Sequence, residues 1–203
     1  MVRSHDGALV LAMSYEEGAA LWALPAGRQL AAIGDESTRI YNATFSYDNS
    51  RFAAVHLSRG ISVWDVATGA EVSRFECGGH VIGVAFDPSG KYIATHAEGA
   101  WSELWDIDTG ERVAVLRGMD AGVSAAEFSP DGSRIITHSE QSIVMADVLT
   151  GQEVLELRGA AEIRPFGATY SSDGSRVLLY GYNGVVVFDS VRWRDRYNEL
   201  IGR

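Results

Sequence analysis

Short apolar runs alternate with polar turns along the chain. Within a run, apolar and polar side chains alternate, as in Ile61-Ser62-Val63-Trp64-Asp65, where Ile61 and Val63 share one face and Ser62 and Trp64 the other. This period of two is that of a half-buried β-strand. Gly, Asp, Ser and Pro cluster between the runs, which is typical of turns. The pattern therefore predicts an all-β protein built from many short antiparallel strands.

Two turn motifs recur at a constant spacing. The first reads FSYDNSR, FDPSGK, FSPDGSR and YSSDGSR, and its leading aromatic residues are Phe45, Phe86, Phe128 and Tyr170. The second reads WDVATG, WDIDTG, ADVLTG and FDSVRW, with a degenerate copy, WALPAG, nearer the start of the chain. Copies of both motifs follow one another every 41 or 42 residues. A repeat of about 40–45 residues with four strands predicts the blades of a β-propeller.

The period divides the chain into about five blades. The repeat units are residues 1–24, 25–66, 67–107, 108–148 and 149–190, followed by a tail at residues 191–203. In the third blade we predict strands at Val81 to Phe86, Tyr92 to His96, Ser102 to Asp106 and Arg112 to Leu116. In the fourth blade we predict strands at Val123 to Phe128, Arg134 to His138, Ile143 to Asp147 and Glu153 to Leu157. The first blade lacks its innermost strand and the last lacks a clear fourth strand, so both are expected to be incomplete.

The repeated polar residues are interpreted as turn formers. In the second turn an aspartate begins the reversal, a threonine supports it, and a glycine supplies the positive φ that ends it. A catalytic residue is needed once, whereas a turn residue is needed in every blade. The residues expected to build the repeat are Phe45, Trp64, Asp65, Gly69, His80, Phe86, Trp105, Asp106, Gly110, Phe128, Asp147, Gly151, Tyr170, Phe188 and Asp189.

WDVATG and WDIDTG, each preceded by an FSPDG-type turn about 19 residues earlier, resemble the WD-repeat β-propeller family over residues 6 to 190. The form of these repeats resembles that of bacterial members of the family. The tail DSVRWRDRYNELIGR also resembles the endings of bacterial WD-repeat proteins. The resemblance implies a rigid platform for protein partners and a buried network around His80, Thr95 and Trp105. Because the family's rings commonly hold more blades, it also implies an open arc, the C-terminal segment of a larger propeller. Missing blades or another chain would then close the ring, and a tight five-bladed ring is the alternative.

Composition narrows the classes of partner. The chain has 27 acidic and 17 basic residues, an excess that disfavours binding to a nucleic-acid backbone. No apolar run reaches the roughly 18 residues that a membrane span needs, and no convincing signal peptide begins the chain. The single cysteine, Cys77, excludes an internal disulfide. We expect a cytoplasmic protein without nucleic-acid or membrane partners.

One repeated phrase has metal-binding potential. Thr-His-x-Glu occurs in adjacent blades and places His96 with Glu98, and His138 with Glu140, on shared strand faces. Imidazole and carboxylate groups both ligate divalent cations. The other interpretation is that two duplicated blades share packing residues, and this interpretation is favoured because only two blades contain the phrase. No cofactor is therefore predicted.

Basic residues follow each first turn, at Arg51, Lys91, Arg134 and Arg176. They could form a ring that contacts an acidic partner, but we expect them to pair with Asp48, Asp131 and Asp173. In the tail, Trp193, Tyr197 and Leu200-Ile201 have the spacing of a short amphipathic helix, which either packs on the last blade or docks a partner.

No nucleophile motif, phosphate loop or CxxC pair indicates an enzyme. The predicted function is a non-catalytic scaffold for protein–protein interaction, a regulatory or sensor segment of a larger bacterial protein. The alternative is a ligand- or metal-binding propeller enzyme with its site in the central channel, around His96 and His138.

Overall fold

The structure is a computed structural model that describes residues 1–14, 18–33, 39–56, 60–78, 80–98, 102–116, 125–138, 142–158 and 165–190. Every regular element in these residues is a β-strand. The strands are β1 Val2–Arg3, β2 Leu9–Ser14, β3 Gly18–Ala23, β4 Arg28–Ile33, β5 Ile40–Phe45, β6 Arg51–His56, β7 Gly60–Asp65, β8 Glu71–Glu76, β9 His80–Phe86, β10 Tyr92–Glu98, β11 Ser102–Asp106, β12 Arg112–Leu116, β13 Ala125–Phe128, β14 Arg134–His138, β15 Ser142–Asp147, β16 Glu153–Arg158, β17 Pro165–Tyr170, β18 Arg176–Gly181 and β19 Gly184–Asp189.

The strands form five antiparallel sheets, each made from one continuous stretch of chain. Sheet 1 is β1–β4, sheet 2 is β5–β8, sheet 3 is β9–β12, sheet 4 is β13–β16, and sheet 5 is β17–β19. Neighbours in sequence are neighbours in space, as short connections favour. The all-β propeller architecture is confirmed, and sheet 5 has three described strands, in agreement with the incomplete last blade that the sequence predicts. The repeat units drawn from the sequence are offset from these sheets by one strand, since residues 25–66 hold β4 together with β5–β7.

The first blade differs from the expectation in one respect. Its innermost strand was predicted to be absent, but β1 is present as a two-residue strand in which Val2 and Arg3 pair with Leu11 and Val10. Two residues are too few to show an alternating pattern, so the sequence signal was below what periodicity can detect.

Successive sheets pack through their innermost strands. β1 contacts β5, β5 contacts β9, β9 contacts β13, and β13 contacts β17. Within the described ranges, the main contacts between strands join each sheet only to the next one, and none joins sheet 1 to sheet 5. The five sheets therefore form an open arc.

The core lies between the sheets as four apolar clusters. Phe86 and Phe128 are buried, with only 3% and 2% of their surface exposed. Trp64 and Trp105 are partly buried and pack against the clusters that their sheets share with the preceding sheets. Trp105, for example, lies 5.5 Å from Phe75 between ring centroids. The outer strand of sheet 2 thus supports the third strand of sheet 3.

The pairing of the third and fourth strands shifts at the same place in sheets 1 to 4. The shifts lie between Leu21 and Trp22, Val63 and Trp64, Leu104 and Trp105, and Met145 and Ala146. A bulge of this kind bends the strand and increases its twist. The sequence motif that begins at each of these sites therefore coincides with the point where the blade curves into its second turn.

Candidate interaction surface

One face of the arc is built from turns and is called the turn face here. It consists of the first turns, which join the first and second strands of each sheet, and the second turns, which join the third and fourth strands. When the strands of an antiparallel sheet follow their order in the chain, these two turns lie at the same end of the strands. Turns of adjacent sheets also lie side by side, because Gly132 is close to Pro88 and Gly174 is close to Pro130.

The first turns are held by hydrogen bonds between serine and aspartate. In sheet 2, Ser46 Oγ donates to Asp48 Oδ1 at 2.7 Å, and the Ser50 amide donates to the same oxygen at 3.0 Å. The same serine-to-aspartate bond occurs in Ser4–Asp6 at 2.6 Å, Ser129–Asp131 at 2.7 Å and Ser171–Asp173 at 2.6 Å. These contacts use the carboxylates to organise the backbone, as such side chains commonly do in turns.

Sheet 3 keeps this arrangement with the two residues exchanged. Asp87 occupies the serine position and Ser89 occupies the aspartate position, and Ser89 Oγ donates to Asp87 Oδ2 at 2.5 Å. Asp87 Oδ1 also accepts from the Tyr92 amide at 2.7 Å. The turn therefore requires one hydroxyl and one carboxylate but accepts either order.

The second turns use aspartate and threonine. Asp65 Oδ1 accepts from the Thr68 amide at 2.8 Å and from Thr68 Oγ1 at 2.7 Å. Asp147 Oδ1 makes the same two contacts with Thr150, at 3.0 and 2.9 Å. Asp106 Oδ1 accepts two backbone amides, from Asp108 and Thr109, each at 3.0 Å. The closing residues Gly69, Gly110 and Gly151 have φ values of +68°, +74° and +66°.

These hydrogen bonds keep the turn carboxylates charged. Serine and backbone donors lower the pKa of Asp6 and of Asp48, and they lower the pKa of Asp173 to about 2. The Thr68 hydroxyl and amide likewise lower the pKa of Asp65. Donors that bind the ionised form favour it over the protonated acid. The carboxylates of these turns therefore stay ionised over a wide pH range.

Three of the four basic residues after the first turns pair with aspartates of the second turns. The ion pairs are Arg51–Asp108 at 3.5 Å, Lys91–Asp106 at 3.5 Å and Arg134–Asp147. The sequence analysis had instead assigned aspartates of the first turns as partners. The difference follows from strand register: Arg134 lies directly opposite Asp147 across the β14–β15 pair, whereas the first-turn aspartates are engaged by serines.

His96 and His138, the histidines of the repeated Thr-His-x-Glu phrase, are both buried, with 7% and 2% of their surface exposed. Burial lowers the pKa of His96 to about 4, with a smaller contribution from His138, and burial also lowers the pKa of His138. The side chain of Glu98 and all of Glu140 lie outside the described residues. In the part that is described, no group of three or more His, Cys, Asp and Glu residues is placed to hold a metal ion. Metal binding by this phrase stays the alternative that the sequence analysis did not favour.

In the part of the chain that the structure describes, Trp105 takes no part in the hydrogen-bond network expected around His80, Thr95 and Trp105. Thr95 Oγ1 donates to the carbonyl of Glu103 at 3.4 Å, and Trp105 Nε1 has no hydrogen-bond partner among the described residues. His80 is exposed and stacks on Tyr41 with the centroids 5.9 Å apart. The sequence lacks the aspartate that completes such a network in the family it resembles. Here His80 packs on Tyr41 and Trp105 packs on Phe75.

The sequence analysis missed an aromatic pair on the turn face. The rings of His5 and Tyr47, from the first turns of sheets 1 and 2, lie parallel at 5.0 Å between centroids and 6° between planes. The His5 amide donates to Asn49 Oδ1 at 2.8 Å and so joins the same two turns. The available signal was a departure from the repeat, because proline or serine occupies the matching position in the other first turns.

A second missed feature is a contact between sheets 4 and 5. Glu127 Oε1, on β13, accepts from Thr169 Oγ1 at 2.7 Å and from the Tyr170 amide at 3.2 Å on β17. This carboxylate joins the innermost strands of two neighbouring sheets.

Within the described residues, no helix has the length and apolar character needed to cross a membrane.

Comparison with known proteins finds two yeast relatives of limited extent. The chain is 35% identical to Protein hir1 of Schizosaccharomyces pombe over 69 residues. This match covers 34% of this chain and 7% of that protein. It is 30% identical to Protein HIR1 of Kluyveromyces lactis over 112 residues. This match covers 47% of this chain and 13% of that protein. The chain thus spans a small part of the length of these relatives. No family model matches the chain.

The WD motifs lie at the ends of third strands in propeller-type sheets, so the chain is WD-repeat-like in both sequence and fold. Both relatives come from yeasts and lend no support to the bacterial style expected from the sequence.

Proposed function

We propose that the chain is a non-catalytic WD-repeat scaffold whose turn face binds a protein partner. The observation that carries this proposal is the use of the conspicuous carboxylates and hydroxyls. Asp48, Asp65, Asp131, Asp147 and Asp173 are all engaged in turn hydrogen bonds that recur from sheet to sheet. Groups that could perform chemistry instead fix the backbone of a surface.

A surface fixed in this way suits binding. Each turn is held by several short hydrogen bonds, so little conformational freedom is lost when a partner docks, and pre-organisation of this kind favours affinity. The turn face also combines charge with exposed apolar groups. Leu149 in a second turn is 65% exposed and Tyr47 in a first turn is 46% exposed. Exposed apolar and aromatic side chains within a polar rim are typical of protein interfaces.

The proposal extends to the ends of the arc. On β19, Val185 and Val187 are 61% and 54% exposed, and among the described strands β19 pairs only with β18. Phe188 packs toward sheet 4. Val185 and Val187 lie on the opposite face of sheet 5. In the other sheets the corresponding faces are covered by a neighbour. We therefore propose that further blades or another chain cover this end, as expected of a regulatory or sensor segment of a larger cytoplasmic protein.

The alternative, a ligand- or metal-binding enzyme at the channel, has no specific observation in its favour. His96 and His138 are enclosed between sheets, and burial holds their pKa values low. Elemental analysis of protein purified without added ions gives a direct test. We expect no transition metal at one ion per chain, and such an ion, lost in His96→Ala/His138→Ala, would favour the enzyme.

The scaffold proposal is tested with a carbodiimide, which joins carboxylates directly to lysines of a bound partner. The wild-type chain is immobilised, and the proteins that it retains are crosslinked to it with the carbodiimide. Mass spectrometry then identifies the linked residues. We expect links at exposed turn-face carboxylates such as Asp108, whose side chain is 65% exposed. The matched control is Asp108→Lys/Glu111→Lys/Leu149→Asp, which alters exposed side chains and leaves the turn-forming carboxylates in place. Equal retention of every protein by the wild type and this variant would contradict the proposal.

A further inference from the structure

The His5–Tyr47 stack interrupts the symmetry of the repeat. Counted from the start of the first turn, the same position holds Pro88, Pro130 and Ser172 in sheets 3, 4 and 5. These turns form without an aromatic ring, so the turn itself does not require one. Tyr47 nevertheless leaves 46% of its surface in contact with solvent, and His5 is also exposed. An aromatic pair that the fold does not need, placed on an exposed face, is a candidate for recognition.

The pair is held in place before any partner binds. Asn49 has a φ of +60° at a position where the other first turns have Gly7, Gly90, Gly132 and Gly174. Asparagine adopts this region less readily than glycine, but its amide supplies what glycine cannot, a side-chain oxygen. That oxygen accepts the His5 amide at 2.8 Å and ties the turn of sheet 2 to the turn of sheet 1. The two rings are thus aligned by a contact that exists only at this pair of turns.

Carboxylates flank the stack. Asp6 and Asp48 are adjacent in sequence to His5 and Tyr47, and hydrogen bonds from serine lower the pKa of both. Burial, and then the charges of Glu127 and Asp87, raise the pKa of Tyr47. An aromatic face bordered by carboxylates attracts a cation.

The nearby basic groups are already engaged. Arg3 donates to the carbonyl of Gly7 at 3.1 and 3.2 Å, and Arg51 pairs with Asp108 at 3.5 Å. In the first turn of sheet 1, Asp6 uses Oδ1 for its contacts with Ser4 and the Ala8 amide. Its second oxygen, Oδ2, is therefore available to a ligand.

We propose that the His5–Tyr47 stack binds an arginine side chain of a basic, extended segment in the partner protein. The guanidinium lies over the exposed aromatic surface and donates to Asp6 Oδ2. Arginine fits better than lysine because its planar group stacks on a ring and presents several donors in a fixed fork. This inference rests on the proposed function and assigns a class of partner to one part of the turn face.

The test uses a fluorescent synthetic peptide of alternating arginine and glycine, with binding followed by anisotropy. Tyr47→Ser removes the ring and keeps a residue that the equivalent turn of sheet 5 already contains, at Ser172. Tyr182→Ser is the matched control, because Tyr182 is 81% exposed on a different turn, between β18 and β19. We expect Tyr47→Ser to weaken binding by about three- to tenfold. Tyr182→Ser should leave the affinity unchanged, and a citrulline peptide, which lacks the charge, should not bind.

Three results would overturn the inference: no binding of the arginine peptide to the wild type, equal affinity in Tyr47→Ser, or equal losses in the Tyr47→Ser and Tyr182→Ser variants. Thermal unfolding of both variants establishes that each is folded when binding is measured. If the arginine peptide fails to bind while a partner still crosslinks to the turn face, the arginine site is refuted and the scaffold function stands. If neither peptide nor partner engages the turn face, both are refuted.

Discussion

At the scale of single residues, the turn aspartates show how this chain uses its ionisable groups. In sheet 3 the exchange of Asp87 and Ser89 leaves the serine–carboxylate bond intact, so the turn depends on the pair of groups rather than on their order. Each bond satisfies backbone or hydroxyl donors that would otherwise need water. The contribution of a given aspartate to stability should therefore depend on how many turn contacts it makes and how far it is buried.

Asp147 provides a test at this scale. It accepts from the Thr150 amide and hydroxyl and pairs with Arg134, and both charged side chains are largely shielded. We expect Asp147→Ala to lower the free energy of unfolding by about 1–3 kcal/mol, because it leaves these donors without their acceptor. Asp108→Ala, which removes a more exposed carboxylate, should cost less than about 0.5 kcal/mol. Urea denaturation measures both, and equal effects would contradict the role given to Asp147.

Roles of this local kind can be predicted from the sequence, whereas contacts between blades cannot. Asp65 and Gly69 repeat in register with their equivalents, so their place in a turn is visible in the chain itself. The His5–Tyr47 stack joins residues 42 positions apart, and the equivalent positions of the other first turns hold no aromatic residue. Only the packing of neighbouring sheets brings them together. Arg51 shows the same limit, because its partner Asp108 belongs to the next sheet.

At the scale of the strand, a small residue on an innermost strand makes room for a ring on the second strand. His96 lies opposite Gly83 in the β9–β10 pair, and Tyr180 lies opposite Gly167 in the β17–β18 pair. A Cβ atom added at Gly83 would overlap the His96 imidazole, and one at Gly167 would overlap the Tyr180 ring. The Thr-His-x-Glu phrase thus has a packing role that the sequence analysis had already kept open.

A double-mutant cycle measures this pairing. Gly83→Ala should destabilise the protein by about 1–3 kcal/mol, because the buried imidazole must leave its preferred position. In a His96→Ala background the same substitution should cost much less, since the obstructing ring is gone. Urea denaturation of the four proteins gives the coupling energy. Costs that add without coupling would show that Gly83 is not accommodating His96.

The strands themselves were largely predictable, since the bounds proposed for the third and fourth blades agree with β9–β12 and β13–β16 to within two residues, apart from the start predicted at Val123, which lies outside the described residues. The fixed period and the turn residues mark both ends of each strand. The bulge before Trp105 was not predicted, because one extra residue in the β11–β12 pairing leaves the alternation of each strand nearly unchanged.

At the scale of the whole molecule, the arc carries buried neutral histidines between its sheets. Burial lowers the pKa of His96 from 6.5 to about 4, and it also lowers the pKa values of His56 and His138. Between those two pH values the unfolded chain takes up protons that the folded chain does not. The free energy of unfolding should therefore fall as the pH decreases from 6.5 towards 4.

For His96 the expected decrease is up to about 1.4 kcal/mol per pH unit within this window. Urea midpoints measured across the window test the expectation, with His96→Gln as the control that removes the titrating group. The variant should lose less stability on acidification than the wild type. If both lose the same amount, the imidazole of His96 does not control acid sensitivity.

The open arc is the central claim, and distances between spin labels test it most directly. The only cysteine, Cys77, is buried, so in a Cys77→Ala background labels can be placed at chosen exposed sites. One pair, Gln29→Cys/Val187→Cys, joins sheets 1 and 5, and a reference pair, Gln29→Cys/Val113→Cys, joins sheets 1 and 3. We predict that pulsed electron–electron double resonance gives a longer distance for the first pair than for the second. A shorter distance for the first pair would place sheets 1 and 5 side by side in a closed five-bladed ring and would contradict the open arc.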